Sequence, residues 1–168
     1  MSNVMSKFIT GFFEQPVNNK PALGIKLLDP QAQIPHYSHP GDSGMDIYAS
    51  QPQTIKPEER KLIKTGIALE IPVGYEVQIR SRSGLALKHG IAVLNSPATI
   101  DQGYKGEIGV ILINHGQEDY WTGGINAIAQ IVICKVDQAD IKLVRELSDS
   151  SRGDDAYGST DYPRASKP

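Results

Sequence analysis

The sequence predicts an all-β protein, a sandwich or barrel of many short strands with one short helix. Short β-compatible runs recur along the chain, at residues 24–28, 45–49, 61–69, 75–80, 91–94, 108–113, 125–136 and 141–144. Turn formers separate them: Pro35, Pro40-Gly41, Pro52, Pro57, Pro72-Val73-Gly74, Gly116 and Gly123-Gly124. In the fourth run Tyr75, Val77 and Ile79 alternate with Glu76, Gln78 and Arg80, the period-2 pattern of a half-buried strand. No repeat of 20–50 residues accompanies these runs, so one β domain is expected, not an array.

Taken in order, residues 1–22 read as an extension outside the core. They lack sustained periodicity and contain Pro16, Asn18, Asn19 and Pro21, with Phe8, Phe12 and Phe13 free to dock on a surface. The β domain is expected over 23–147. Within it, Ser83-Gly84-Leu85-Ala86-Leu87-Lys88-His89-Gly90 breaks the β pattern. A serine at a plausible N-cap, helix formers inside and a glycine at the C′ position predict a helix of one to two turns. Arg80, Ser81, Arg82, Ser83 and Gly84 gather at its start. Free N–H groups, hydroxyls and guanidinium groups there suit a phosphate. Arg80 reads equally well as the solvated end of a strand, whereas Arg82-Ser83-Gly84 leans toward phosphate.

Between the runs at 91–94 and 108–113 lies Leu-Asn-Ser-Pro-Ala-Thr-Ile-Asp-Gln-Gly-Tyr-Lys-Gly-Glu, residues 94–107. Two apolar runs around Asn95, Ser96, Pro97, Gly103 and Gly106 predict a wide hairpin. Its unpaired backbone groups could read the edge of a flat heterocycle, with Asp101 and Tyr104 beside a sugar or a water. Read by itself, the stretch is better explained as an ordinary hairpin whose Asp and Asn make turn bonds. The last segment, 148–168, has no aliphatic larger than alanine and predicts a flexible tail. It carries Arg152 and Tyr157, residue types that clamp a phosphate and stack on a base.

Composition narrows the function classes. A 168-residue chain can bury a self-sufficient core. The formal net charge of -2 gives no overall electrostatic footprint for duplex nucleic acid or an anionic membrane. Any bound anion must then be held by a few local arginines. One cysteine, Cys134, excludes a disulfide framework or a cysteine zinc site within one chain, and its apolar run suggests a buried, inert thiol. No segment approaches the roughly 18 apolar residues of a membrane span. The apolar stretch near Phe8 is too short for a signal peptide and Glu14 interrupts it, so the expectation is a cytoplasmic protein.

Five blocks, in this order and spacing, resemble the trimeric dUTP diphosphatase (dUTPase) family. Ser43-Gly44-Met45-Asp46-Ile47-Tyr48-Ala49 is similar to the family's Ala-Gly-Tyr-Asp-Leu-Tyr-Ala. Arg82-Ser83-Gly84-Leu85-Ala86 with Lys88-His89-Gly90-Ile91 is nearly verbatim. Asn95 to Glu107 resembles Asn-x-x-Gly-x-Ile-Asp-x-Asp-Tyr-x-Gly-Glu, and Ile128-Ala129-Gln130 ends the family's Gly-Asp-Arg-Ile-Ala-Gln. Arg152-Gly153 and Tyr157-Gly158-Ser159-Thr160 resemble Arg-Gly-x-Gly-Gly-Phe-Gly-Ser-Thr-Gly. The resemblance implies a jelly-roll-like distorted barrel, a homotrimer with shared active sites, and hydrolysis of dUTP to dUMP and pyrophosphate with Mg2+. It implies that Asp101 activates the attacking water and that Tyr104 packs under the deoxyribose. Asn95, the backbone of Thr99, Ile100 and Asp101, and Gly109 would read uracil. Arg82, Ser83, Gly84 and Gln130 would hold phosphates. Asp46 would position Arg82 and, through water, the metal. Arg152 would grip the γ-phosphate while Tyr157 caps the base.

The chain departs from the pattern at several positions. Ala98 and Gly103 replace the usual Gly and Asp of the hairpin, and Ser81 replaces a Pro before Arg82. Ile125-Asn126-Ala127 stands where Gly-Asp-Arg is expected, and Asp154, Asp155, Ala156 and Asp161 surround Arg152 in the tail. These changes motivate a second reading, a dUTPase-like nucleotide sensor or protein-binding module with weak or no catalysis. The dCTP deaminases, which share the fold, are a third. Ser-Gly after Arg82 and the Ile-Asp-x-x-Tyr of the hairpin point away from them.

Overall fold

The computed structural model describes residues 20–150 and Gly153. The chain divides into two compact units, Met1–Asp137 and Gln138–Pro168. Among the described residues, the first holds all the regular structure: strands β1 (Gly24–Leu27), β2 (Met45–Ile47), β3 (Thr54–Ile55), β4 (Arg60–Lys64), β5 (Ile67–Glu70), β6 (Tyr75–Arg80), helix α1 (Ser83–His89), and strands β7 (Ile91–Val93), β8 (Ala98–Ile100), β9 (Gly109–Asn114), β10 (Tyr120–Trp121) and β11 (Ala129–Lys135).

The expectation of an all-β fold with one short helix holds. The strands form four small antiparallel sheets with no closed barrel: β2-β11-β6-β8, β4-β9-β7, β1-β5 and β10-β3. Short strands spread over several sheets let isoleucines converge from many directions. Ile47, Ile55, Ile63, Ile67, Ile79, Ile91, Ile108, Ile128 and Ile131 are all essentially inaccessible. β-branched side chains suit the pleated surface, and burying each one contributes about 1.5–3 kcal/mol. In β6, Val77 and Ile79 face this core, while Glu76, Gln78 and Arg80 line the opposite face, as the alternation requires. There Gln78 Nε2 donates to Glu76 Oε1 at 2.6 Å, and Arg80 Nη2 donates to Gln78 Oε1 at 2.6 Å and to Cys134 Sγ at 3.7 Å. Arg80 is thus a strand-end side chain tied to its own strand. Cys134 is half-buried on that polar face and not in the core.

Three strand expectations are corrected. The run at 61–69 is two strands, because Gly66 adopts φ +68° and turns the chain where a Cβ would stand 2.7 Å from Asp29 Cβ and 2.9 Å from Ser50 Cβ. The run at 125–136 becomes a strand only at Ala129, since Gly124 at φ +82° and the exposed Ile125 form a loop. The run at 141–144 forms no strand. Within the second unit Ile141 and Leu143 are 93% and 102% exposed, and a short alternating run with nothing to pair against cannot hold a ladder.

The wide hairpin is present. β7 pairs with β9 in the register Ile91↔Asn114, Ala92↔Ile113, Val93↔Leu112. Its excursion is not a free loop, because β8 crosses to the other sheet and pairs with β6, Gln78 opposite Thr99.

Candidate active site

One part of the site is built on the start of α1. Arg82, with φ -90° and ψ 127°, is the N-cap and Ser83 the first helical residue, one position earlier than the sequence suggested. The Arg82 carbonyl accepts from Leu85 N at 3.1 Å and Ala86 N at 3.0 Å. No side chain caps the helix start, so the N–H groups of Ser83 and Gly84 lie beyond the intrahelical ladder, as first-turn donors must. At the other end Gly90, at φ 67°, closes the helix.

The Arg82 side chain is held from two sides. Its Nε lies 3.1 Å from Asp46 Oδ1, and its Nη1 donates to the Ala127 carbonyl at 2.7 Å. The other Asp46 oxygen, Oδ2, accepts from Ser38 Oγ at 3.1 Å. Sheet register brings these groups together: Asp46 on β2 faces Gln130 on β11, which faces Arg80 on β6, two residues before Arg82. Gln130 lies over Gly44, where any Cβ would overlap its Oε1 and come within 3.0 Å of its Cδ. Its Nε2 donates to the Ser81 carbonyl at 3.0 Å.

Arg82, Ser83, Gly84 and Gln130 line one open cavity of about 660 Å3, joined by Lys88, His89, Glu118, Asp119, Tyr120, Trp121 and Asn126. Burial pushes the Tyr120 hydroxyl above its ordinary range, and the nearby Arg82 charge pulls the other way. Burial first, then the Asp46 carboxylate, raises the Tyr48 hydroxyl, with Arg82 again opposing. Tyr48 stacks on His36 at 5.8 Å between ring centroids.

The altered fourth block keeps its place in this clamp. Ala127 is buried and offers Arg82 a backbone carbonyl, which any residue could supply. Asn126 faces the cavity and Ile125 is 91% exposed. Sequence reasoning missed Ser38, the Ala127 carbonyl and the 118–121 segment. Nothing in the sequence places a carbonyl or a two-residue strand.

The hairpin residues form a second cluster. Asn95 and Asp101 are exposed, and Asp101 O accepts from Tyr104 N at 3.0 Å in a tight turn. Tyr104 is half exposed; its ring covers Gly106 and its hydroxyl donates to the Glu107 carbonyl at 3.0 Å. Glu107 ties this tip down, with Oε1 accepting from Gly66 N at 3.0 Å and Oε2 lying 3.5 Å from Lys64 Nζ. β8, carrying Thr99 and Ile100, is the edge strand of its sheet, so one row of its backbone groups is unpaired there. Gly109 begins β9 beside Leu62 on β4. None of Asn95, Thr99, Ile100, Asp101, Tyr104 and Gly109 lines the cavity at Arg82. The structure therefore gathers Asp46, Arg82, Ser83, Gly84 and Gln130 in one place and the hairpin set in another. Arg152 and Tyr157 lie outside the described residues. Gly153, which is described, adopts φ +59° and donates from its N–H to Ser150 Oγ at 3.1 Å.

A mostly antiparallel β-protein with an arginine clamp and first-turn N–H groups facing one cavity belongs to the class that handles phosphate esters. The chain belongs to the dUTPase family: the family model matches residues 30–161. It is 49% identical over 140 residues to the deoxyuridine 5'-triphosphate nucleotidohydrolase of Clostridioides difficile, covering 83% of this chain and 98% of that one. With the enzyme of the same name from Picosynechococcus it shares 54% identity over 138 residues, 82% of this chain and 97% of the other. Among solved structures it is similar to the dUTPase of Staphylococcus bacteriophage 80alpha with dUPNHPP, at TM-score 0.75 and 29% identity, covering 84% and 99% of the two chains. A dUTPase from phage phi11 of S. aureus, with a structural Mg(II) ion, matches at TM-score 0.70 and 26% identity over 74% and 97% of the chains.

Proposed function

We propose that the protein hydrolyses dUTP to dUMP and pyrophosphate, with Asp101 preparing the attacking water and the Arg82 cluster receiving the phosphates. The observation that carries this reading is the Arg82 clamp. Nε is given to Asp46 and Nη1 to Ala127, so the remaining N–H groups of a rigid, always-charged fork are available to phosphate oxygens. Ser83 and Gly84 add first-turn N–H groups, and Gln130 adds an amide. Phosphoryl transfer depends mainly on such positioning and charge stabilisation.

The geometry of the hairpin supports the roles that the family resemblance implies for it. The free edge of β8 offers alternating donors and acceptors to uracil, and Asn95 lies next to it. Tyr104, fixed by its hydroxyl to Glu107 and packed on Gly106, presents a flat face for the deoxyribose. Asp101 projects into solvent at the same tip, where a carboxylate can orient a water and accept its proton. Arg152 and Tyr157 complete the reading as the γ-phosphate and base contacts of the tail.

Mg2+ is the proposed cofactor. Among the described residues no group of three or more His, Cys, Asp or Glu could hold a metal. Mg2+ keeps several waters and commonly uses one or two carboxylates with substrate phosphates. Asp46, with one lone pair on each oxygen still unpledged, fits such a hydrated ion through water. Bound there, Mg2+ would neutralise developing phosphate charge.

One chain separates its phosphate cluster from its hairpin set, and this supports a homotrimer whose sites are shared between subunits. Leu62 and Ile111, paired across β4 and β9 and 57% and 36% exposed, offer an apolar face that assembly would cover.

The test is pyrophosphate release from dUTP, dCTP, dTTP and UTP with Mg2+, beside an Asp101→Asn control. Turnover of dUTP alone, lost in the control, is expected. Binding of dUTP without turnover would instead favour a nucleotide sensor or protein-binding module.

A further inference from the structure

We infer that Ser38 is a positioning residue for the phosphate site, holding the carboxylate that aims Arg82; this rests on the function proposed above. A carboxylate tied at one oxygen can still turn about its χ2 bond, whose wells are broad. Asp46 is tied at both: Oδ1 to Arg82 Nε at 3.1 Å and Oδ2 to Ser38 Oγ at 3.1 Å. The backbone brings the serine there, because Asp46 N donates to the His36 carbonyl at 2.9 Å in an isolated antiparallel bridge, which lays the 36–38 segment along β2.

The consequence passes to the guanidinium. Its plane is set by two contacts on different nitrogens, Asp46 at Nε and the Ala127 carbonyl at Nη1. Among the described residues no other hydrogen bond or ion pair engages this side chain, and those two bonds direct Nη2. If Asp46 rotates, the plane hinges on Nη1 alone and Nη2 loses its aim at the cavity. Ser38 is not among the residues lining the cavity, and its side chain donates to Asp46, so its effect on the phosphate site runs through Asp46. A hydroxyl is suited to this. It can donate to Asp46 without adding charge, whereas an ammonium would compete with Arg82 for the same carboxylate.

The test uses full-length Ser38→Ala and Ser38→Thr. Binding of inorganic pyrophosphate is titrated through the fluorescence of Trp121, the one tryptophan of the chain, which lines the same cavity. Turnover of dUTP is measured beside it. Ser38→Ala is expected to weaken pyrophosphate binding and raise KM for dUTP by about threefold to tenfold, the scale of one ordinary hydrogen bond, with kcat within about twofold. Ser38→Thr keeps the hydroxyl and is expected to restore both, and the thermal midpoint is expected to stay unchanged in each variant. Wild-type pyrophosphate binding and KM in Ser38→Ala would overturn the inference, as would a loss that Ser38→Thr fails to restore. If the wild-type protein binds pyrophosphate but does not turn over dUTP, the proposed reaction fails, and the binding comparison alone decides the role of Ser38. No pyrophosphate binding by the wild-type protein would overturn both.

Discussion

Gly44 shows how a residue outside the chemistry sets it. The first block needs glycine there because the Gln130 side chain occupies the space of a Cβ. Gly44→Ala is expected to swing the Gln130 amide off the Ser81 carbonyl, since a flexible side-chain end yields before backbone does. The cost is one hydrogen bond of about 1 kcal/mol, which converts to a roughly fivefold rise in KM for dUTP. Steady-state kinetics and a melting curve check it: KM rises while the thermal midpoint moves little, and a midpoint falling by many degrees would show that Gly44 serves the fold. At this scale the sequence was informative about side chains that act by type. Asp46, Arg82 and Gln130 were legible and lie together. The Ala127 carbonyl was not, because backbone atoms have no residue signature.

The elements divide by length. β6 has six residues with strict alternation and matches its expected span. The two-residue strands β3 and β10 pair Tyr120 with Ile55 and Trp121 with Thr54, and two residues define no period. β8 was hidden inside what read as a hairpin loop, since its partner β6 is about twenty residues away in the chain and only tertiary contact shows the pairing. Helix α1 was legible through its glycine. Gly90 sits at φ +67°, and a Cβ there would stand 2.8 Å from His115 C and overlap Gly116 N. Gly90→Ala therefore combines left-handed strain of about 1–2 kcal/mol with a backbone clash that no rotamer relieves. A loss of at least about 2 kcal/mol in chemical denaturation is expected. Gly84→Ala, with nothing within 4 Å of the added Cβ, is the comparison and is expected to keep or raise stability by up to about 1 kcal/mol.

For the whole molecule, buried Tyr48 and half-buried Tyr120 bear on stability at alkaline pH, and the separation of the two residue clusters bears on the proposed assembly. Tyr48 and Tyr120 are both raised above the ordinary value of 10.0, chiefly by burial. A group raised in the folded state contributes stability that is complete below its unfolded value. That stability is lost as pH climbs from about 10 toward the folded value, because the unfolded chain releases its proton first. The thermal midpoint is expected to fall above about pH 10, and Tyr48→Phe is expected to make that fall shallower; an unchanged slope would assign the loss to other groups. Assembly makes a sharper prediction. If a working site takes Arg82 from one subunit and Asp101 from another, then Arg82→Ala and Asp101→Asn are each inactive alone but can complement each other. Unfolding and refolding the two together at equal concentration gives random trimers. In these a given site draws an intact Arg82 with a chance of one half and an intact Asp101 with a chance of one half. About a quarter of wild-type turnover should return. Were both residues drawn from the same chain, every site would contain one defect and the mixture would stay as inactive as its parts. The exposed face at Leu62 and Ile111 carries a separate expectation. A charge placed at Ile111 should prevent the trimer in sedimentation and, with it, turnover, although each chain keeps its Arg82 clamp intact.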